Sequence, residues 1–147
     1  EARADAVRRI VEMGVPVMGH LGFTPQSVHA LGGARVQGRS EGGEQQLVDD
    51  AKRLEDAGAF AIVLELVPAA VARRVTEAVR VPTIGIGAGA GCDGQVLVLH
   101  DMLGLNSGFS PKFLKRYAEL GTAARQAIET FAAETRGGRF PDDAHSF

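Results

Sequence analysis

Four short runs of apolar residues, separated for the most part by helical patterns, constrain this chain more than any other feature. They lie at 15–20 (VPVMGH), 60–67 (FAIVLELV), 82–87 (PTIGIG) and 95–100 (QVLVLH). Each has the length of a strand, and none alternates cleanly between apolar and polar residues. Strands that are apolar on both faces and alternate with amphipathic helices indicate a parallel sheet covered by helices. The helices are read from apolar residues recurring at helical spacing. Residues 2–13 carry Ala6, Ile10 and Met13 on one face, with Gly14 as a stop. Thr24-Pro25 reads as a cap and a first-turn proline, opening a short helix through Leu31 that Gly32 and Gly33 end. Residues 44–57 carry Leu47, Val48, Ala51 and Leu54 on one face, and Gly58 terminates them. Residues 68–79 place Val71, Val75 and Ala78 inward. Ser110-Pro111 opens a further helix to about Leu120, Gly121-Thr122 interrupts it, and a last helix spans 123–136. The stretch 34–43 is a polar, glycine-rich loop, and the tail from Gly137 is irregular. One link stands out. Only seven residues separate Gly87 from Gln95, whereas a parallel crossover usually takes a dozen or more. Either the link is unusually compact or one of those runs is not a plain strand.

Composition narrows the function classes. The 147 residues suffice for one domain with a real core, and the expected count is a single domain over 1–147. Lys+Arg is 16 against 18 Asp+Glu, a net charge of -2. There is no global basic field, so nucleic acid is not expected as a partner. No apolar stretch approaches the roughly 18 residues of a membrane span. The lone cysteine, Cys92, has no internal disulfide partner and fits a reducing compartment. The 19 glycines, about twice the ordinary share of roughly 7%, cluster where tight turns or a close backbone approach are expected. The chain opens at Glu1 without a signal-peptide pattern and reads as an excerpt that begins inside a helix.

In a parallel α/β protein, ligands gather at the C-terminal ends of the strands. The four runs end in His20, Glu65, the glycines 87 and 89, and His100-Asp101. Glu65 is the most informative residue. A carboxylate amid Ala61, Ile62, Val63, Leu64, Leu66 and Val67 is costly to bury unpaired. Loss of water favours its protonated form and brings it toward the working range of a general base. The alternative is a structural ion pair with an Arg or Lys. His20, between Gly19 and Gly22, has room beside it to hold a substrate oxygen or a metal-bound water; otherwise it is a core histidine bonded to a carbonyl. His100-Asp101 reads as a site pair or, more simply, as a cap on the next segment. His29 and His145 are assigned no role. Gly85-Ile-Gly87-Ala-Gly89-Ala90 fits the dinucleotide pattern formally, but that motif must open a helix, and here more glycine and another apolar run follow. Arg35 and Arg39 in the loop read as solvated surface or as an anion contact.

Taken together, several motifs resemble one family. GHLGFTPQSV at 19–28, VQGR at 36–39, LELVP at 64–68, IGIGAG at 84–89, CDGQ at 92–95, His100-Asp101 and the terminal HSF at 145–147 occur in this order. The chain resembles the 3-methyl-2-oxobutanoate (ketopantoate) hydroxymethyltransferases from about Val15 onward. The resemblance implies a (β/α)8 TIM barrel of the phosphoenolpyruvate mutase-like superfamily, of which this chain would hold strands five to eight. It implies hydroxymethyl transfer from 5,10-methylenetetrahydrofolate to 3-methyl-2-oxobutanoate, giving 2-dehydropantoate for pantothenate synthesis. By the same resemblance the base is Glu65, and His20 matches an active-site histidine near the substrate. Mg²⁺ is implied as cofactor, with its ligands and a substrate-binding lysine on the first four strands, outside this chain; Glu1 is therefore not assigned to the metal. A cytoplasmic homo-oligomer, commonly a decamer, is also implied. Two other readings remain at this level: a non-catalytic half-barrel acting as a structural or oligomerisation module, and a dinucleotide-binding domain resting on the glycine pattern alone.

Overall fold

A computed structural model describes residues 2–30 and 32–147. The chain falls into two compact units, Glu1–Val96 and Leu97–Phe147.

The first unit holds helix α1 (Ala2–Glu12) and strands β1 (Met18–Gly22), β2 (Ala61–Glu65), β3 (Thr83–Ile86) and β4 (Gly94–Gln95). Helix α2 (Glu41–Asp56) lies between β1 and β2, and α3 (Ala69–Ala78) between β2 and β3. The strands form one sheet in the order β1-β2-β3-β4, parallel throughout. The expected parallel α/β architecture is therefore observed.

Local chemistry sets the helix boundaries. Ser40 Oγ accepts the Gly43 amide at 3.1 Å, so α2 begins three residues before the sequence pattern suggests, despite Gly42 and Gly43 in its first turn. Gly58 ends it at φ +95, with its amide bonded to the Glu55 carbonyl. The core lies on one side of the sheet. Ile62 and Leu64 are fully buried against Leu47, Val48 and Ala51 of α2 and Val71, Ala72 and Val75 of α3. Burying each large aliphatic side chain there contributes about 1.5–3 kcal/mol. On the other side, Val63 and Ile84 are only half-buried and Met18 is exposed, and none of them belongs to the core cluster.

Four expectations are corrected. The segment after Thr24 forms only a 3₁₀ turn, Pro25–Ser27; Leu31 lies outside the described residues. Thr24 gives no side-chain cap, and so short a segment before a glycine pair does not repay helix nucleation. The run 95–100 is not a plain strand. It pairs with β3 only at Gly94 and Gln95, because β3 ends at Ile86 and Gly87 turns away at φ +63. The seven-residue link, 87–93, is indeed a compact parallel crossover.

The other two corrections fall in the second unit. There, α4 (Leu99–Met102) is a single turn and α5 (Leu120–Arg136) the main helix. The helix expected from Ser110 to Leu120 does not form. The Tyr117 and Leu120 amides donate to the carbonyls of Met102 and Leu103, and Arg116 donates to those of Asn106 and Phe109. Apart from one turn closed by the Leu114 amide on the Pro111 carbonyl, the segment's backbone is bonded to the α4 turn. Gly121-Thr122 does not interrupt α5, which runs through both. Among the described residues, no helix is long and apolar enough to cross a membrane.

Candidate functional site

The register places two ionisable side chains on one face. Gly22 stands opposite Glu65, and His20 opposite Val63, in adjacent parallel strands. Side chains alternate along a strand, so His20 and Glu65 share the face that α2 and α3 do not cover. His20 Nε2 lies 3.0 Å from Glu65 Oε2. Their side chains are 31% and 17% exposed, so the pair is partly dried yet reachable from solution. Glu65 is thus paired with an imidazole, not with the Arg or Lys of the structural alternative.

The backbone around Glu65 is fixed from several directions. The Phe23 amide donates to the Glu65 carbonyl at 2.8 Å. Gly22 sits at φ +87, and a Cβ there would collide with that same carbonyl and with Val67. Leu66 takes φ +50, a left-handed conformation that a leucine rarely adopts. It is held by its own amide donating to the Ile86 carbonyl at 3.0 Å and by the Gln37 amide donating to the Leu66 carbonyl at 2.8 Å. Strain of this kind persists only where surrounding bonds over-determine it, and it clusters at functional sites. Here it ends β2 immediately after Glu65. Leu66 and Gln37 stand within the motifs LELVP and VQGR, but their roles fall to main-chain atoms, and nothing in a leucine or a glutamine side chain signals them. Gly22 stands within a quoted motif, yet only the register shows what it lies against.

The other candidates lie elsewhere. His100 and Asp101 sit in the second unit, on the α4 turn and not at a strand end. Asp101 is buried and accepts a hydrogen bond from Asn106 Nδ2 at 3.2 Å; it lies within the α4 turn and caps no helix, so the capping alternative is corrected. His29, Arg35 and Arg39 are exposed. His145 is bonded to Asp142 in the tail and stands beside Phe140. No helix opens after Gly89, so the dinucleotide pattern lacks the context it needs.

On the helix-covered side, Asp93 Oδ2 accepts the Thr83 amide at 2.8 Å and the Thr83 hydroxyl at 3.1 Å. The amide bond first, then the hydroxyl bond, hold the Asp93 carboxyl below its ordinary value of 3.8. Burial pushes the Cys92 thiol above its ordinary value, which favours its protonated form. Among the described residues, no group of three or more His, Cys, Asp or Glu side chains could hold a metal ion.

A parallel sheet with helices between its strands, and with a carboxylate and an imidazole in hydrogen-bond contact on adjacent strands, defines a parallel α/β protein. The chain belongs to the ketopantoate hydroxymethyltransferase family, whose model matches residues 1–143. It is 58% identical over its whole length to the 3-methyl-2-oxobutanoate hydroxymethyltransferase of Moorella thermoacetica, of which it covers 55%. It is 57% identical over its whole length to that of Ruegeria sp., covering 52%. It is 54% identical over 98% of its length to that of Geobacter metallireducens, covering 54%. The chain thus spans about half the length of the curated relatives it matches.

Proposed function

We propose that this chain supplies the proton-transfer half of a 3-methyl-2-oxobutanoate hydroxymethyltransferase active site, with Glu65 as the base. The observation that carries the reading is the His20–Glu65 contact at the C-terminal ends of adjacent parallel strands. Membership of the family supports the ketoacid as substrate and 5,10-methylenetetrahydrofolate as one-carbon donor. In the reaction, Glu65 takes the C3 proton of 3-methyl-2-oxobutanoate, and the C–H electron pair remains as the enolate. The enolate carbon then bonds to the donor's methylene carbon and water supplies the hydroxyl oxygen, while both C–N bonds of that methylene break and the C3 proton and one water proton end on the two nitrogens of the departing tetrahydrofolate. His20 stands against the base and beside the substrate.

The four strands are read as strands five to eight of a (β/α)8 barrel, one domain with the remaining chain. Support comes from the coverage of about half of each relative and from a parallel sheet with α2 and α3 packed on one face. Mg²⁺ is read as the cofactor, its ligands supplied by chain outside these 147 residues. The resemblance also supports a homo-oligomer, a decamer in the family, located in the cytoplasm.

The test is exchange of the C3 proton of 3-methyl-2-oxobutanoate in D₂O, followed by NMR on the whole protein with Mg²⁺ and without folate. Glu65→Gln is expected to abolish exchange while ketoacid binding survives. Full exchange in that variant would remove Glu65 from the role of base. No exchange by the folded, unsubstituted protein would favour the non-catalytic half-barrel instead.

A further inference from the structure

We infer that His20 is a positioning residue that donates its Nε2 proton to Glu65 Oε2, leaving Oε1 as the single oxygen of Glu65 that takes the substrate proton. The inference rests on the reading of Glu65 as base, and it assigns His20 a task which that reading leaves open. A carboxylate that is to accept a proton enters the step ionised, and an ionised carboxylate can only accept hydrogen bonds. The contact at 3.0 Å therefore requires the proton on His20 Nε2. A neutral ring in that tautomer has a bare Nδ1, and Nδ1 has no hydrogen-bond partner among the described residues.

The sheet itself sets the geometry. His20 and Glu65 lie two register positions apart on hydrogen-bonded strands, so their separation does not depend on loop conformation. Gly19 behind His20 lets β1 approach α2, since a Cβ there would meet Leu54 at 2.8 Å. The left-handed Leu66 and the Gly22 contact hold the Glu65 backbone in turn. With the backbone and Oε2 both fixed, the carboxylate cannot rotate to present the wrong oxygen. When the C3–H bond breaks, the proton goes to Oε1, its electron pair stays on the substrate as the enolate, and the Nε2–H bond to Oε2 persists. Misplacing a reacting group by about 1 Å can cost roughly 100-fold in rate, which sets the scale of the effect.

Two substitutions separate this task from direct substrate binding. In His20→Gln the side-chain amide N–H stands where Nε2 stood and can still reach Oε2. In His20→Asn the amide falls at the Nδ1 position and cannot. In the whole protein's C3 exchange assay, Gln is expected to retain most of kcat. Asn is expected to lose about 100-fold in kcat with KM little changed. Equal kcat for the two variants, or a loss carried by KM alone, would overturn the inference. Labelling histidine with ¹⁵N gives a second readout. His20 should show a protonated Nε2 and a bare Nδ1 at neutral pH, and the reverse tautomer would overturn the inference without any kinetic measurement. The two failures are distinct. Exchange persisting in Glu65→Gln removes the base itself, whereas equal Gln and Asn variants beside an inactive Glu65→Gln remove only the role of His20.

Discussion

The two faces of the four-stranded sheet are built from the same strands and have opposite surroundings. On β2, Ile62 and Leu64 are sealed beneath α2 and α3, while the intervening Val63 and Glu65 stand half-open on the other side. On β1, Gly19 presses on Leu54 of α2, while Met18 and His20 face away from it. Alternation along a strand thus sends stability to one side and chemistry to the other. A carboxylate one position earlier on β2, at Leu64, would stand in the dry core, where an unpaired charge is costly.

Substitutions that treat the faces unequally sharpen this comparison. Leu64→Ala should cost about 2–5 kcal/mol in denaturant unfolding. Val63→Ala, one residue away, should cost about 1 kcal/mol or less. Equal losses would mean that the second face is as tightly packed as the first.

Gly22→Ala should cost about 1–3 kcal/mol, because it forces a left-handed alanine against the Glu65 carbonyl. It should also slow C3 exchange in the whole protein. A variant with unchanged stability and rate would remove the close approach from the argument.

Ser40→Ala should cost about 1 kcal/mol through loss of the α2 cap and leave exchange intact. Thermal unfolding beside the exchange assay would show whether the helix-covered side can be weakened without touching the pair.

The smallest effect concerns Asp93, bonded to Thr83 on the helix-covered side. Its carboxyl is depressed in the fold, so its contribution is present above the ordinary value of 3.8. That contribution is lost as pH falls from there through the lower folded value. Asp93→Asn should flatten this part of the acid stability profile and lower stability at neutral pH by the small amount that the unsubstituted protein loses on acidification. An identical acid limb in the variant would show that the Thr83 bonds carry no such linkage.

Much of this was legible in the sequence, for identifiable reasons. The apolar runs 60–67 and 82–87 became β2 and β3 because helices bury their residues. Glu65 stood out because nothing around it was polar, and the register brings it to His20. What failed was set by bonds between segments distant in sequence. The run 95–100 looked like a strand, but pairing stops where β3 turns away at Gly87. The segment after Ser110 looked helical, but its amides belong to the α4 turn. The roles of Leu66 and Gln37 could not be read, since their parts are played by main-chain atoms.

The link between β3 and β4 also governs where this chain can change length. A Cβ on Gly89 would run into Ala69 of α3, and one on Gly91 would meet Arg73 at 2.9 Å. Gln95 Nε2 draws the link inward by donating to the Gly89 carbonyl at 2.9 Å. The seven residues are stretched over the start of a helix with no slack. One inserted residue would put Gly94 out of step with Ile84 and Gln95 out of step with Gly85. Insertions and deletions among homologues should therefore be absent from 87–93.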